Sequence, residues 1–170
     1  MNFHSRRFAF MVLIGFAFAM VATAEAQTSS SRTLPVNSPV ASADQVPATH
    51  LIQPADLAAL LQSSKSSKPL VLQIGFRVLY VQAHIPGSEY VAAGSSPNGI
   101  AQLRERAQKV PRNKSIVLYC GCCPWNHCPN VQPAYQELQS MGFTDVKVLY
   151  IAHDFGTDWV SHGYPVEKGQ

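Results

Sequence analysis

The chain has 170 residues, 13 Lys and Arg against 10 Asp and Glu, and 46% hydrophobic residues. Its charges are few and scattered, so there is no basic stripe for nucleic acid and no polybasic patch for a membrane surface. The length suits one compact domain behind an N-terminal extension, and no internal repeat divides it.

Arg6 and Arg7 precede an apolar run from Phe8 to Val21, and Ala24-Glu25-Ala26 is a small-x-small cleavage pattern. This layout predicts a signal peptide over residues 1–26, with Gln27 as the first mature residue. The apolar run is short for a membrane span, which needs about 20 residues; a retained N-terminal anchor is the alternative. Ser5-Arg6-Arg7-Phe8-Ala9-Phe10-Met11 matches the twin-arginine export pattern only in part, so the export route stays open. The expectation is an exported, periplasmic protein with no stable membrane anchor after cleavage. Residues 27–48, rich in Ser, Thr, Pro, Ala, Val and Asn, lack periodicity and read as a flexible linker to a domain over 49–170.

Within the domain, Gln53 to Leu61 predicts a short helix, with Pro54 in its first turn and Leu57, Leu60 and Leu61 on one face. Ser63 to Lys68 is a polar loop. Pro69 to Ile74 is an apolar run with the character of a buried strand. His84-Ile85-Pro86-Gly87 is a turn, followed by a short strand at Glu89 to Ala92. Gly99 to Val110 is helical, with Ile100, Leu103 and Ala107 at helical spacing, and Pro111 stops it. Ser115 to Tyr119 is the clearest buried strand, and it runs straight into Cys120. Val131 to Met141 is helical, with Tyr135, Leu138 and Met141 toward the core and Gly142 as its punctuation. Val146 to Ile151 is a strand, and Trp159 lies on a last short helix as a core residue. Strands alternating with helices predict an α/β fold with a central, mostly parallel sheet flanked by helices, and ligands bind at the carboxyl ends of such strands.

All four cysteines, Cys120, Cys122, Cys123 and Cys128, fall in one stretch, "VLYCGCCPWNHCPNVQP". Cysteines that staple an exported fold spread out to close long loops; these close almost nothing, so local chemistry is expected. A cysteine between a strand end and a helix start faces backbone N–H groups that favour its thiolate, the nucleophilic form. The same donors suit a transferred anionic group.

Five segments together resemble the rhodanese-like (sulfurtransferase) family. They are "LIQPADLAALL", "AHIPGS" at Ala83 to Ser88, "SIVLYC" ending at Cys120, "AYQELQSMGFTDVKVL" and "DWVSHGYPVE". The resemblance implies a three-layer rhodanese-like fold. It also implies transfer of sulfane sulfur from thiosulfate or a persulfide, through a persulfide on the catalytic Cys120, to a thiophilic acceptor such as cyanide or a thiol. Three departures stand out. Gln73-Ile74-Gly75 replaces an Asp-hydrophobic-Arg triplet, Ala83 replaces a glycine, and the active loop is longer and carries no Lys or Arg before Pro133. The missing cation puts ordinary thiosulfate–cyanide transfer in doubt and speaks against phosphatase chemistry.

The extra thiols suggest what replaced the cation. Cys122, Cys123 or Cys128 could attack a persulfide on Cys120, releasing sulfide and leaving a disulfide. Gly121, Trp125, Asn126, His127 and His84 are read as pocket or loop residues, with His84 serving the turn more readily than acting as a base. No cofactor is expected. The alternative is a thiol–disulfide redox protein, or a Cu or Zn site drawn from Cys120, Cys122, Cys123, His127 and Cys128; a non-catalytic binding module is the third class. The C-x-C-C-x4-C spacing matches neither paired zinc motifs nor c-type haem attachment. The expected partners are a small sulfur donor and a thiol acceptor, a protein thiol among them, acting on a monomer.

Overall fold

Five short strands form one parallel sheet: β1 (Leu51–Ile52), β2 (Leu70–Gln73), β3 (Glu89–Tyr90), β4 (Ile116–Tyr119) and β5 (Val146–Leu149). Their order across the sheet is β1-β5-β4-β2-β3. The computed structural model describes residues 46–64 and 67–169. The leader read over 1–26 and the linker up to residue 45 lie outside the described residues. Val46, the first described residue, already packs into the core ahead of position 49.

Side-chain alternation along the strands builds the two sides of the core. Leu72, Ile116, Leu118, Val146 and Val148 face helices α3 (Pro97–Gln108) and α4 (Val131–Ser140), which contribute Leu103, Ala107, Ala134, Tyr135 and Leu138. Val71, Val117, Tyr119 and Leu149 face the other way, onto Leu57 and Ala58 of α1 (Pro54–Gln62) and onto Phe155 and Trp159. Trp159 is fully buried in the turn Gly156–Val160, and its Nε1 donates to the Pro165 carbonyl at 2.9 Å. These helices on both faces of a parallel sheet give the expected α/β, rhodanese-like layering.

Local signals explain the boundaries. Pro54 and Pro97 occupy first helical turns, and Ser96 Oγ accepts from the Gly99 N–H at 3.0 Å. At the end of α4, Gly142 takes φ +83°, which lets the N–H groups of Gly142 and Phe143 reach the Gln139 and Leu138 carbonyls. A bidentate pair, Arg104 with Glu137 at 2.8 and 2.9 Å, ties α3 to α4 at the surface.

Several details differ from the sequence pattern, among them a first strand β1 that it did not show, a β3 that ends at Tyr90 and an α3 that starts at Pro97. Helix α1 buries Leu57 and Ala58, while Leu60 and Leu61 are only half-buried, so its face is rotated by part of a turn. Met141 is likewise half-buried at the core's edge. A helix α2 (Arg77–Gln82) forms where the sequence shows β-branched residues and no amphipathic stripe. It buries only Tyr80 and leaves Phe76 and Val78 more than half exposed, at 51% and 63%.

Candidate functional site

The chain leaves β2 outward to β3, returns through α3 to β4 beside β2, and then moves the other way to β5. The sheet order therefore reverses between β2 and β4, where open α/β sheets place their ligand crevice. The residues just past these two strand ends are Ile74-Gly75 and Cys120-Gly121. Cys120 is buried on the α3–α4 side of the sheet.

Its sulfur sits in a made-to-measure space. A Cβ added at Gly75 would lie 2.7 Å from Cys120 Sγ, so the missing side chain at position 75 is what admits the thiol. Buried Gln73 fixes the backbone beside it: Nε2 donates to the Cys120 carbonyl at 3.0 Å, and Oε1 accepts from the Gly75 N–H at 3.2 Å. The sequence departure at Gln73-Ile74-Gly75 is thus a clamp between the two strand ends. Gly121 takes φ +83° and packs so closely that a Cβ would lie 2.8 Å from Phe155 Cβ; its carbonyl accepts from the Phe155 N–H at 3.1 Å.

The donor to the sulfur is not the expected backbone. Among the described residues, the N–H group that meets Cys120 Sγ is the side-chain amide of Asn130, at 3.2 Å. Asn130 is fully buried and stands at the start of α4, yet it does not cap that helix. Its Oδ1 instead accepts from the Ser95 N–H at 3.0 Å, which links the loop before α3 to the thiol. An asparagine at a helix start signals a cap in the sequence, and only the fold turns it toward sulfur. Replacing Asn130 with alanine strands the Ser95 N–H and opens a polar hole beside the thiol. We expect a loss of about 1–3 kcal/mol in urea denaturation and slower alkylation of Cys120.

The four thiols form one connected cluster. Cys122 is its centre, with Sγ 3.2 Å from Cys120, 3.1 Å from Cys123 and 3.9 Å from Cys128. The cysteines are all free. Burial pushes the Cys122 thiol up to about 12 and raises that of Cys123. The thiol of Cys128 is raised by the neighbouring Cys120 sulfur and then by burial. Burial raises the Tyr119 phenol as well, beside Ser88 Oγ at 3.2 Å and the Ile85 N–H at 3.3 Å. These groups keep their protons to higher pH in the fold than in the unfolded chain. Their contribution is therefore present below the ordinary thiol range, about 8.5, and is lost as pH rises toward the folded values. Urea denaturation is expected to show lower stability at about pH 10 than at about pH 7.5, and equal stability would contradict this.

In front of Cys120 opens a pocket of about 610 Å³. Gln73, Tyr119, Gly121, Cys122 and Phe155 line its inner part; Leu79, Gln82, Asp154 and Val160 stand around them. The described lining includes no Lys or Arg, and its one charged group is the Asp154 carboxylate, which also accepts from the Thr157 N–H and hydroxyl. A second pocket of about 400 Å³, beside α1 and Trp159, holds Lys68 but no thiol, imidazole or carboxylate.

The remaining residues read as pocket or loop residues mostly serve the loop and the turn. His84 is buried, stacks on Tyr80 with ring centres 3.9 Å apart, and bonds the Tyr80 carbonyl through Nδ1 at 2.8 Å. Its backbone pairs with Glu167, so it holds the turn and the C-terminal segment, in keeping with the turn role read from the sequence, while the neighbouring Ala83 lines the Cys120 pocket. Trp125 pins the loop by donating its backbone N–H to the Ile151 carbonyl at 2.8 Å and packing near Tyr150. It shares a small hollow with Val46, Asn126 and Cys128, on a different surface from the Cys120 pocket. His127 is exposed, with Nδ1 2.9 Å from Asn126 Oδ1. His153 lies against Asp158 at 3.0 Å and is not in the pocket lining.

As metal ligands, only part of the predicted set converges. The sulfurs of Cys120, Cys122 and Cys128 lie within 4.8 Å of one another, while Cys123 and His127 stand outside that triangle. Sulfurs bound to one ion at about 2.3 Å sit about 4 Å apart, so three thiolates fit a low-coordinate soft ion better than a closed four-ligand zinc site.

The family model described as "Rhodanese-like domain" matches residues 53–150. Among solved structures, the chain is similar to the Alr3790 protein of Anabaena sp., at 21% identity and TM-score 0.54, covering 69% of this chain and 92% of that one. It is similar to the BH2092 protein of Bacillus halodurans at 21% identity and TM-score 0.53, covering 70% and 77%. It is also similar to the single-domain sulfurtransferase RDL2 of Saccharomyces cerevisiae at 14% identity and TM-score 0.51, covering 70% and 93%. No curated protein matches the sequence.

Proposed function

The chain belongs to the rhodanese-like domain family, and from that premise we propose that it is an exported sulfurtransferase that carries sulfane sulfur as a persulfide on Cys120. The observation that carries this reading is the placement of Cys120. Its thiol lies at the strand-order reversal, in a space left by Gly75, with the Asn130 amide on the sulfur and an open pocket beyond. A donor aimed at the sulfur supports negative charge on it, which both attack on a sulfur donor and storage of a persulfide require.

The pocket also speaks to the donor. With Asp154 at its rim and no cation in its described lining, it disfavours a thiosulfate dianion and suits an organic persulfide or polysulfide, with a thiol as acceptor. Export rests on the leader pattern of residues 1–26. The test is intact mass of reduced protein after exposure to a persulfide donor. A gain of one sulfur atom on Cys120, or release of that sulfur as sulfide, supports the reading; no sulfur on any cysteine together with no released sulfide would sink it.

The thiol triangle of Cys120, Cys122 and Cys128 favours a second reading, storage of Cu(I) or a related thiophilic ion. Metal analysis of the same sample, purified without added metal, separates the two. Stoichiometric copper or zinc with no sulfur uptake points to the metal role.

A further inference from the structure

We propose that Cys122 resolves the persulfide on Cys120, so that the sulfur taken up leaves as sulfide and the site is left as a Cys120–Cys122 disulfide. This rests on the reading of Cys120 as the sulfur carrier and names what becomes of the sulfur.

Geometry separates the three thiols that could do this. Cys122 Sγ lies 3.2 Å from Cys120 Sγ, because Gly121 between them takes a positive φ and folds the chain back on itself. Cys123 reaches Cys122 at 3.1 Å and is absent from the group of sulfurs gathered around Cys120. Cys128 is buried within the sulfur triangle, its sulfur no more than 4.8 Å from that of Cys120, but it does not make the close contact that Cys122 makes and lies outside the pocket lining. Of the three, only Cys122 shares the pocket lining with Cys120. That matters for the leaving sulfur, which needs open space on the far side of the bond being broken.

The steps balance. The Cys120 thiolate attacks the outer sulfur of an organic persulfide, the donor's S–S bond breaks, and its thiol leaves; Cys120 now carries one extra sulfur. Cys122 then attacks Cys120 Sγ. The Cys122–Cys120 S–S bond forms, the bond to the outer sulfur breaks, and that electron pair leaves with the outer sulfur as hydrosulfide, which takes the proton released from Cys122. The sulfane sulfur gains two electrons, and the two thiols lose two in becoming a disulfide. An external dithiol reductant restores both thiols by exchange at the disulfide.

The experiment uses the mature chain, reduced and desalted without oxygen, mixed with one equivalent of glutathione persulfide, a donor whose by-product is a thiol and not sulfide. Free sulfide and intact mass are followed together, with peptide mapping under non-reducing conditions. Wild type is expected to release about one sulfide per chain and to lose two hydrogens in a Cys120–Cys122 bridge. Cys122→Ser and Cys122→Ala are both expected to hold the extra sulfur on Cys120 and to release sulfide at least about tenfold more slowly. Undiminished sulfide release from both variants overturns the inference, as does a wild-type chain that keeps the extra sulfur while Cys122 stays free. Loss of release in Cys123→Ser or Cys128→Ser, with Cys122→Ser still active, overturns it too. If wild type takes up no sulfur and releases no sulfide, the persulfide reading fails and this inference with it.

Discussion

Replacing Cys120 with serine is expected to abolish sulfur uptake, lowering the transfer rate by about three orders of magnitude or more, as removal of a nucleophile does in other covalent catalysts. The substitution keeps the size of the side chain, and its oxygen still accepts from the Asn130 amide, so the fold should be retained. Thermal unfolding close to wild type, with no sulfur on any remaining cysteine by intact mass, is the anticipated pair of results. The combination separates chemistry from packing: a variant that is folded and inert has lost the nucleophile alone. If Cys120→Ser still gains a sulfur atom, the carrier is one of the other three thiols, and the role given to the β4 strand end is wrong.

Gly75→Ala is expected to damage both stability and activity by adding a single methyl group. Its Cβ would stand 2.7 Å from Cys120 Sγ, 2.9 Å from Gln73 Nε2 and 3.0 Å from the Cys120 carbonyl oxygen. None of these can retreat easily. The sulfur is held by Asn130, the Gln73 amide is bonded at both ends, and the carbonyl belongs to the backbone leaving a fully buried strand. Overpacking of this kind costs about 1–3 kcal/mol, which urea denaturation resolves. Any relief moves the thiol or breaks the Gln73 clamp, so persulfide formation should fall beyond what the stability loss explains. A Gly75→Ala protein with wild-type stability and uptake would show that the space around the sulfur is not set by position 75.

Much of this molecule is legible in its chain. The runs Pro69–Ile74, Ser115–Tyr119 and Val146–Ile151 are apolar and β-branched because both faces of a parallel sheet are covered, and each became a central strand. Pro54, Pro111 and Gly142 mark helix ends for local backbone reasons that need no partner, while α3 starts at Pro97, two residues before the stretch read from the sequence. Helix α2 was hidden because it is short, β-branched and mostly exposed, so it carries no periodic apolar stripe. Strand β1 is two residues long, too short for alternation to register.

The site divides in the same way. That Cys120 follows a buried strand and leads into a helix is a matter of local pattern, so the sequence by itself determined which thiol stands at the ligand-binding edge. Which side chains meet that thiol depends on chain segments far apart in number. Gln73 and Gly75 come from β2, Asn130 from the start of α4, and Phe155 from beyond β5. Local rules assign Asn130 to a helix cap and His84 to its turn, and leave Trp125 to the loop or the pocket. Packing instead turned Asn130 onto the sulfur; it kept His84 in the turn under Tyr80 and Trp125 against the loop. The convergence of Cys122 on Cys120, and the separation of Cys123 and His127 from the sulfur triangle, likewise follow from the turn at Gly121. The chain order placed four thiols in one loop; only the tertiary structure, by fixing distances and the open side of the pocket, decided which pair lies in close contact beside it.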